Sequence, residues 1–192
     1  MAIKVFNDPS KLWNLTELLL QGAGVTLSIF FLTLLFAVPL GVLFAQARMS
    51  KHAVLRAPTS LYIYLMRSTP LMLQIMFVYF LLPQILPFKV DRFSAVIFAF
   101  AVNYAAYFAE IFRGGLLAVD KGQYEAAQVL GLRKGQTMIK IIIPQMIRVC
   151  LPTLNNEAVT LIKDTALMYA VGIVEILNQA KSIVNGSMDI SA

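Results

Sequence analysis

Residues 18–47 read LLLQGAGVTLSIFFLTLLFAVPLGVLFAQA, a run without a single charged side chain. A helix needs about 20 such residues to cross the hydrocarbon of a bilayer, so this stretch decides the class of the fold. It is too long for the apolar core of a signal peptide. The preceding MAIKVFNDPSKLWNLTE carries mixed charge, and no small-x-small cleavage site closes the run. It reads as a retained span. Two more stretches, Leu61 to Leu82 and Phe93 to Leu117, are long enough to cross as well. The whole chain of 192 residues agrees, with 59% apolar and only 14% charged residues, far from the balance of a soluble domain.

A fourth apolar region, Ile139 to Leu177, is interrupted by Pro144, Arg148, Pro152, Asn155, Asn156, Glu157, Lys163 and Asp164. Bare lipid does not accept so many polar groups, so this region is expected to be a broken or interior-facing helix. The expected fold is an all-α integral membrane bundle of about four transmembrane helices. The expected domain organisation is one transmembrane domain over residues 1–192. The net charge of +6 is read as basic membrane loops and not as a nucleic-acid surface. Lone Cys150 and lone His52 support neither an internal disulfide nor a metal site, and no cofactor is expected.

Lys and Arg are unevenly divided among the loops. Arg48, Lys51, Arg56 and Arg67 lie around the first connection, and Arg113, Lys121, Arg133, Lys134, Lys140 and Arg148 around the third. The other side holds Lys4, Lys11, Lys89 and Arg92. The positive-inside rule then places the N-terminus outside and the segment Glu125 to Pro144 in the cytoplasm.

That segment, EAAQVLGLRKGQTMIKIIIP, is basic and punctuated by glycine. A short helix is expected over Gln123 to Leu132, ended by Gly131, with a break and cap at Gly135 to Thr137 and Pro144 at the entry of the next apolar stretch. Small side chains on such a helix would let another protein approach closely. An amphipathic helix lying at the membrane interface is the alternative reading of the same pattern.

The spacing narrows the choice. Glu125-Ala126-Ala127, Gly131 six residues after the Glu, Ile141 sixteen after it and Pro144 nineteen after it resemble the cytoplasmic EAA signature of bacterial ABC importer permeases. Ile143 stands where that family commonly has Leu. MRSTPLMLQ (66–74) resembles the family's Arg-Gly-Thr-Pro stretch with Ser68 in place of Gly. NYAAYFAEIFRGG (103–115), KGQYEAAQVLGL (121–132) and LIKDTAL (161–167) are similar to the polar amino-acid subgroup of histidine, arginine and glutamine type.

The resemblance implies a permease of the bacterial plasma (inner) membrane working as a homo- or heterodimer with a second permease subunit. It also implies a pair of cytoplasmic ABC ATPases and an external substrate-binding protein, with an amino acid as substrate. The helix around Glu125 would dock in a groove of the ATPase and transmit its opening and closing. The family's fifth span has no counterpart in NQAKSIVNGSMDISA at the end, so C-terminal truncation or a short natural form is expected. The chain has no G-x-x-x-x-G-K-[ST] phosphate loop, so ATP hydrolysis is assigned to a partner.

For the substrate path, Glu157 and Asp164 lie seven residues apart, within about 20° on an ideal helix, and Asn156, Thr160 and Lys163 widen that polar arc. Asn103, Tyr107 and Glu110 form a second stripe at i, i+4 and i+7 on the third span, so two polar faces could confront one another across a cavity. Charged groups in a membrane cost at least about 2.5 kcal/mol each on insertion scales, which makes function their default reading. The path is expected to use Glu157, Asp164, Asn156 and Asn103, with Lys163 and Glu110 in structural ion pairs or at a cytoplasmic interface. The alternative function is a small channel or secondary transporter, although no internal repeat is found. An intramembrane enzyme is a third reading, but the sequence has no His-Glu-x-x-His and no paired nucleophile and base, and its one His lies in a loop.

Overall fold

The computed structural model describes residues 9–85 and 91–173. All regular elements among them are helical: α1 (Pro9–Arg48), α2 (Ala53–Ser68), α3 (Leu71–Met76), α4 (Leu82–Ile85), α5 (Arg92–Ala118), α6 (Lys121–Val129), α7 (Lys134–Thr137) and α8 (Ile143–Asp164), with π turns at Phe77–Leu81 and Met138–Ile142 and a 3-10 turn at Thr165–Val171. Three helical stretches are long and apolar enough to cross a membrane, and a fourth counts if the broken pair Ala53–Ser68 and Leu71–Ile85 is one span. Among the described residues the expected count of about four spans therefore holds. The residues on which the missing fifth span was argued, 178–192, lie outside the described residues, as does Lys89.

Two expectations need correction. The second apolar stretch begins earlier than Leu61 and is broken at Thr69 and Pro70, because proline cannot donate to the helix and disfavours helical backbone in the residue before it. The fourth region is not broken. Helix runs without interruption from Lys134 to Val171, through Pro144 and Pro152. Each π turn ends two residues before a proline, Pro83 or Pro144, and its closing N–H reaches back five residues, Leu82 to Phe77 and Ile143 to Met138. Widening the turn in this way makes room for the ring, which would otherwise press on the carbonyl four residues earlier. Some hydroxyls within the spans are satisfied locally: Ser28 donates to the Gly24 carbonyl, Thr59 to Leu55 and Thr160 to Asn156, each four residues back, whereas the buried hydroxyls of Thr26 and Thr33 have no hydrogen-bond partner among the described residues.

The chain forms two compact units. Among the described residues the first comprises 9–33, 71–85, 91–99 and 161–173. In it α3 packs against the 3-10 turn Thr165–Val171, and Gly172 closes that turn at φ +75° with the paired C-terminal bonds from Gly172 N to Tyr169 O and Ile173 N to Met168 O. Asp91 caps α5, its carboxylate accepting from the Ser94 backbone N–H at 3.0 Å. The hydrogen bonds from Ser94 hold the Asp91 carboxyl below its ordinary pKa.

The second unit comprises residues 34–70 and 100–160. Its core is built on Ile63, Ala106 and Ala109, flanked by Phe44, Tyr62 and Met66. Tyr62 hydroxyl donates to the Val102 carbonyl and its ring packs on Phe44, centroids 4.6 Å apart. Small residues let the spans approach closely. A Cβ at Gly41 would lie 2.6 Å from Phe108 Cβ and 3.3 Å from the Ala109 nitrogen, so α1 and α5 touch there nearly backbone to backbone. Gly41→Leu is expected to lose about 3 kcal/mol or more of stability through overpacking. Gly24→Ala, where a Cβ meets nothing within 4 Å, should be neutral or slightly stabilising. Thermal unfolding of the two variants in one detergent checks this; equal midpoints would refute the close contact at Gly41.

Candidate functional site

Two places in the second unit bring the sequence-selected residues together. The first is α6 and its flanks. Asp120 accepts from the Gly122 backbone N–H at 2.6 Å and so caps the N-terminus. Gly131, at φ +72°, closes the other end with the bonds from Gly131 N to Gln128 O and Leu132 N to Ala127 O. The helix therefore covers Lys121–Val129 and starts earlier than expected. Asp120 with Gln123 three residues on is the sequence signal for that start. The break falls between Leu130 and Arg133. Gly135 to Thr137 belong to the next helix, whose start is tied by the Arg133 N–H to Gln136 Oε1 at 3.0 Å. Gln145 donates to Gln123 Oε1 at 3.2 Å and anchors α6 to α8.

Of the expected coupling residues, Ala127 is buried, while Glu125, Ala126, Gly131 and Pro144 are exposed. Val129 and Leu130 add large apolar surface at 88% and 76% exposure. A Cβ at Gly131 meets nothing within 4 Å, so its glycine is required by the left-handed backbone and not by crowding within the chain. An apolar-sided cleft of about 430 Å³ runs beside the helix, lined by Tyr124, Gln128, Leu132, Lys134, Thr137 and Met138.

The second place is a cleft of about 310 Å³ whose polar lining includes Arg67, Tyr107, Glu110, Thr153 and Glu157. Here the two stripes read from the sequence face each other in part. Tyr107 and Glu110 come from α5, and Glu157 from α8. Arg67 lies over the Tyr107 ring, 5.1 Å from its centroid. Glu110 is held by Arg48 at 2.6 Å and by Arg113 at 2.7 Å, so the carboxylate is an ion-pair centre that ties α1 to α5. Arg67 and Glu157 are the other charged side chains that line the cleft.

The remaining candidates lie elsewhere. Asn103 is buried at 4% exposure and its amide donates to the Met66 carbonyl at 3.1 Å, which makes it an interhelical tie in this chain. Asn156 is exposed, and half-buried Asp164 is the last residue of α8. In the sequence Arg67 stands out as a basic residue near the second span and as the Arg of the MRSTPLMLQ stretch, not as a path residue. Its place over Tyr107 depends on a contact across forty positions that no local pattern encodes.

The family model described as "binding-protein-dependent transport system inner membrane component" matches residues 37–191. Among similar proteins, the glutamine transport system permease protein GlnP of Escherichia coli is 35% identical over 181 residues, which is 94% of this chain and 83% of that protein. The arginine transport system permease protein ArtQ of Bacillus subtilis is 36% identical, covering 84% of this chain and 74% of that protein. A crystal structure of an amino acid ABC transporter with histidines superposes with a TM-score of 0.82 at 35% identity, covering 94% of this chain and 84% of that one. The MetNI methionine ABC transporter shares the fold, with a TM-score of 0.69 at 21% identity, covering 96% of this chain and 86% of that one. The chain thus belongs to the family of inner membrane components of binding-protein-dependent transport systems.

Proposed function

We propose that this chain is the permease subunit of an ATP-driven importer for polar amino acids, with a preference for cationic ones. The observation that carries the reading is the helix Lys121–Val129, capped at both ends, with Ala127 turned inward and Glu125, Ala126, Val129 and Leu130 presented outward. A nine-residue helix is marginal alone and needs such supports to persist. Its uncovered apolar face fits a protein partner better than water.

In this reading a dimer of cytoplasmic ABC ATPases docks on Glu125, Ala126, Ala127 and Gly131, with Pro144 at the root of the following span, and performs the ATP hydrolysis. A second permease subunit covers the exposed side of the span Lys134–Val171, little of which is buried within this chain. An external binding protein delivers the amino acid. Residues 1–192 act as one transmembrane domain. Glu157 is the principal path residue, supported by its place in the cleft with Arg67 and Tyr107. Asp164 and Asn156 extend that path along α8, whereas Asn103 serves it indirectly by holding α5 to the Met66 carbonyl.

Recovery of the ABC ATPase with the affinity-tagged full chain from detergent tests the docking. The proposed orientation has the N-terminus outside and Glu125 to Pro144 in the cytoplasm. Single cysteines at Lys51 and Lys134, in a Cys150→Ala background, should resist a membrane-impermeant thiol reagent in intact cells and react after the membrane is opened. Labelling of position 134 from outside would invert the topology.

A further inference from the structure

Three arginines gather at the ends of the spans in the second unit. A cleft of about 410 Å³ is lined by Arg48, Met49, Arg56, Ser60, Arg113 and Leu117. Arg48 is the last residue of α1, and Arg113 lies five residues before the end of α5. Arg56 and Ser60 are four residues apart on α2, as are Arg113 and Leu117 on α5, so each pair presents a single face. Glu110 pairs with Arg48, whose Nε lies 2.6 Å from Oε1, and accepts from Nε and Nη2 of Arg113. Each guanidinium carries five N–H donors, so further donors remain on both, while Arg56 is exposed. Three guanidiniums against one carboxylate give the cluster a net charge of +2. Beside it stand exposed apolar side chains: Met49 at 44%, Val54 at 84%, Leu55 at 51% and Leu117 at 62%.

We propose that this cleft binds the phosphate of an anionic phospholipid headgroup, with Arg48, Arg56 and Arg113 as donors, Ser60 to the phosphate or glycerol oxygens, and the acyl chains lying along Leu117 and Met49. The shared chemistry is a phosphate anion, which a lipid or free phosphate could supply. Arginine forks match phosphate oxygens in pairs. Basic pockets at the membrane surface between spans attract anionic headgroups, each basic residue contributing about a fivefold gain in affinity. The apolar rim and the position at the span ends favour a lipid over a soluble anion and over an acidic protein surface. The proposal depends on the spans crossing a membrane and is independent of the ATPase reading.

The test is native mass spectrometry of the purified full-length chain in a neutral detergent, titrated with dioleoylphosphatidylglycerol, with dioleoylphosphatidylcholine and with inorganic phosphate. The expected result is retention of phosphatidylglycerol at least about fivefold better than phosphatidylcholine, with millimolar inorganic phosphate failing to displace it. Arg56→Gln should reduce that retention about fivefold without lowering the unfolding temperature, since its side chain is exposed. Arg148→Gln removes an exposed arginine that does not line the cleft and should change nothing. Equal retention of the two lipids, or equal loss in both variants, would overturn the site as general electrostatic attraction. Displacement of the lipid by millimolar phosphate would overturn the lipid assignment in favour of a free-anion site. No ATP is present, so failure of the transport reading would leave these outcomes unchanged.

Discussion

Ala126→Trp should abolish recovery of the ABC ATPase with this chain while leaving the spans inserted and the chain folded. Ala126 is exposed on the helix Lys121–Val129, whereas its neighbour Ala127 is buried at 1%. The indole would therefore extend into the space that the docking proposal assigns to a partner and touch little of its own chain. Overpacking a close interface costs about 1–3 kcal/mol, which lowers affinity by roughly tenfold to a hundredfold and suffices to lose a complex during washing. Ala127→Trp would be a poor choice because it would disrupt the packing beneath the helix.

Gly131 would be equally ambiguous. At φ +72° any side chain there is strained by about 1 kcal/mol, so a loss of binding could come from unravelling the C-terminal bonds to Ala127 and Gln128. Comparing Gly131→Ala with Ala126→Trp separates the two causes. The alanine should weaken recovery severalfold and the tryptophan eliminate it. Undiminished ATPase recovery by Ala126→Trp, at normal expression and unfolding temperature, would remove this helix face from the docking surface.

Those distinctions mark where sequence reading ends. Apolar length alone identified the spans at Leu18 to Ala47 and Phe93 to Leu117, because lipid imposes a length and a polarity that composition records directly. The elements between them were less legible. Pro70 announces the break at Ser68, yet the surrounding hydropathy is continuous and masks it. Pro144 and Pro152 suggested a broken fourth region, but a π turn absorbs the first ring and the helix continues through the second.

The polar stripe on α5 divides along its length. Asn103 and Glu110 share an azimuth but lie about 10 Å apart along the axis, so they meet different neighbours. Asn103 meets the Met66 carbonyl and Glu110 meets Arg48 and Arg113. Helical periodicity gives the angle of a side chain and says nothing of which residue from another segment arrives at that height.

Glu157→Gln should lower binding-protein-dependent uptake of arginine in vesicles by roughly tenfold to a hundredfold while leaving ATPase recovery intact. The substitution keeps the shape of the side chain and removes its charge. Hydrogen bonds to a charged partner are worth about 1.5–3 kcal/mol, and that range sets the size of the loss. The position matters because Glu157 is one of two carboxylates lining the cleft, and it is the one that α8 contributes, whereas Glu110 pairs with Arg48 and Arg113. Arg67 lies in the same cleft over Tyr107, so an added cation meets opposing fields and gains only where it approaches the α8 side. Uptake of a neutral amide such as glutamine should accordingly fall less than uptake of arginine. A uniform fall for both would assign Glu157 to gating or packing, and unchanged uptake of arginine, lysine and histidine alike would leave the cationic preference without a basis in this residue.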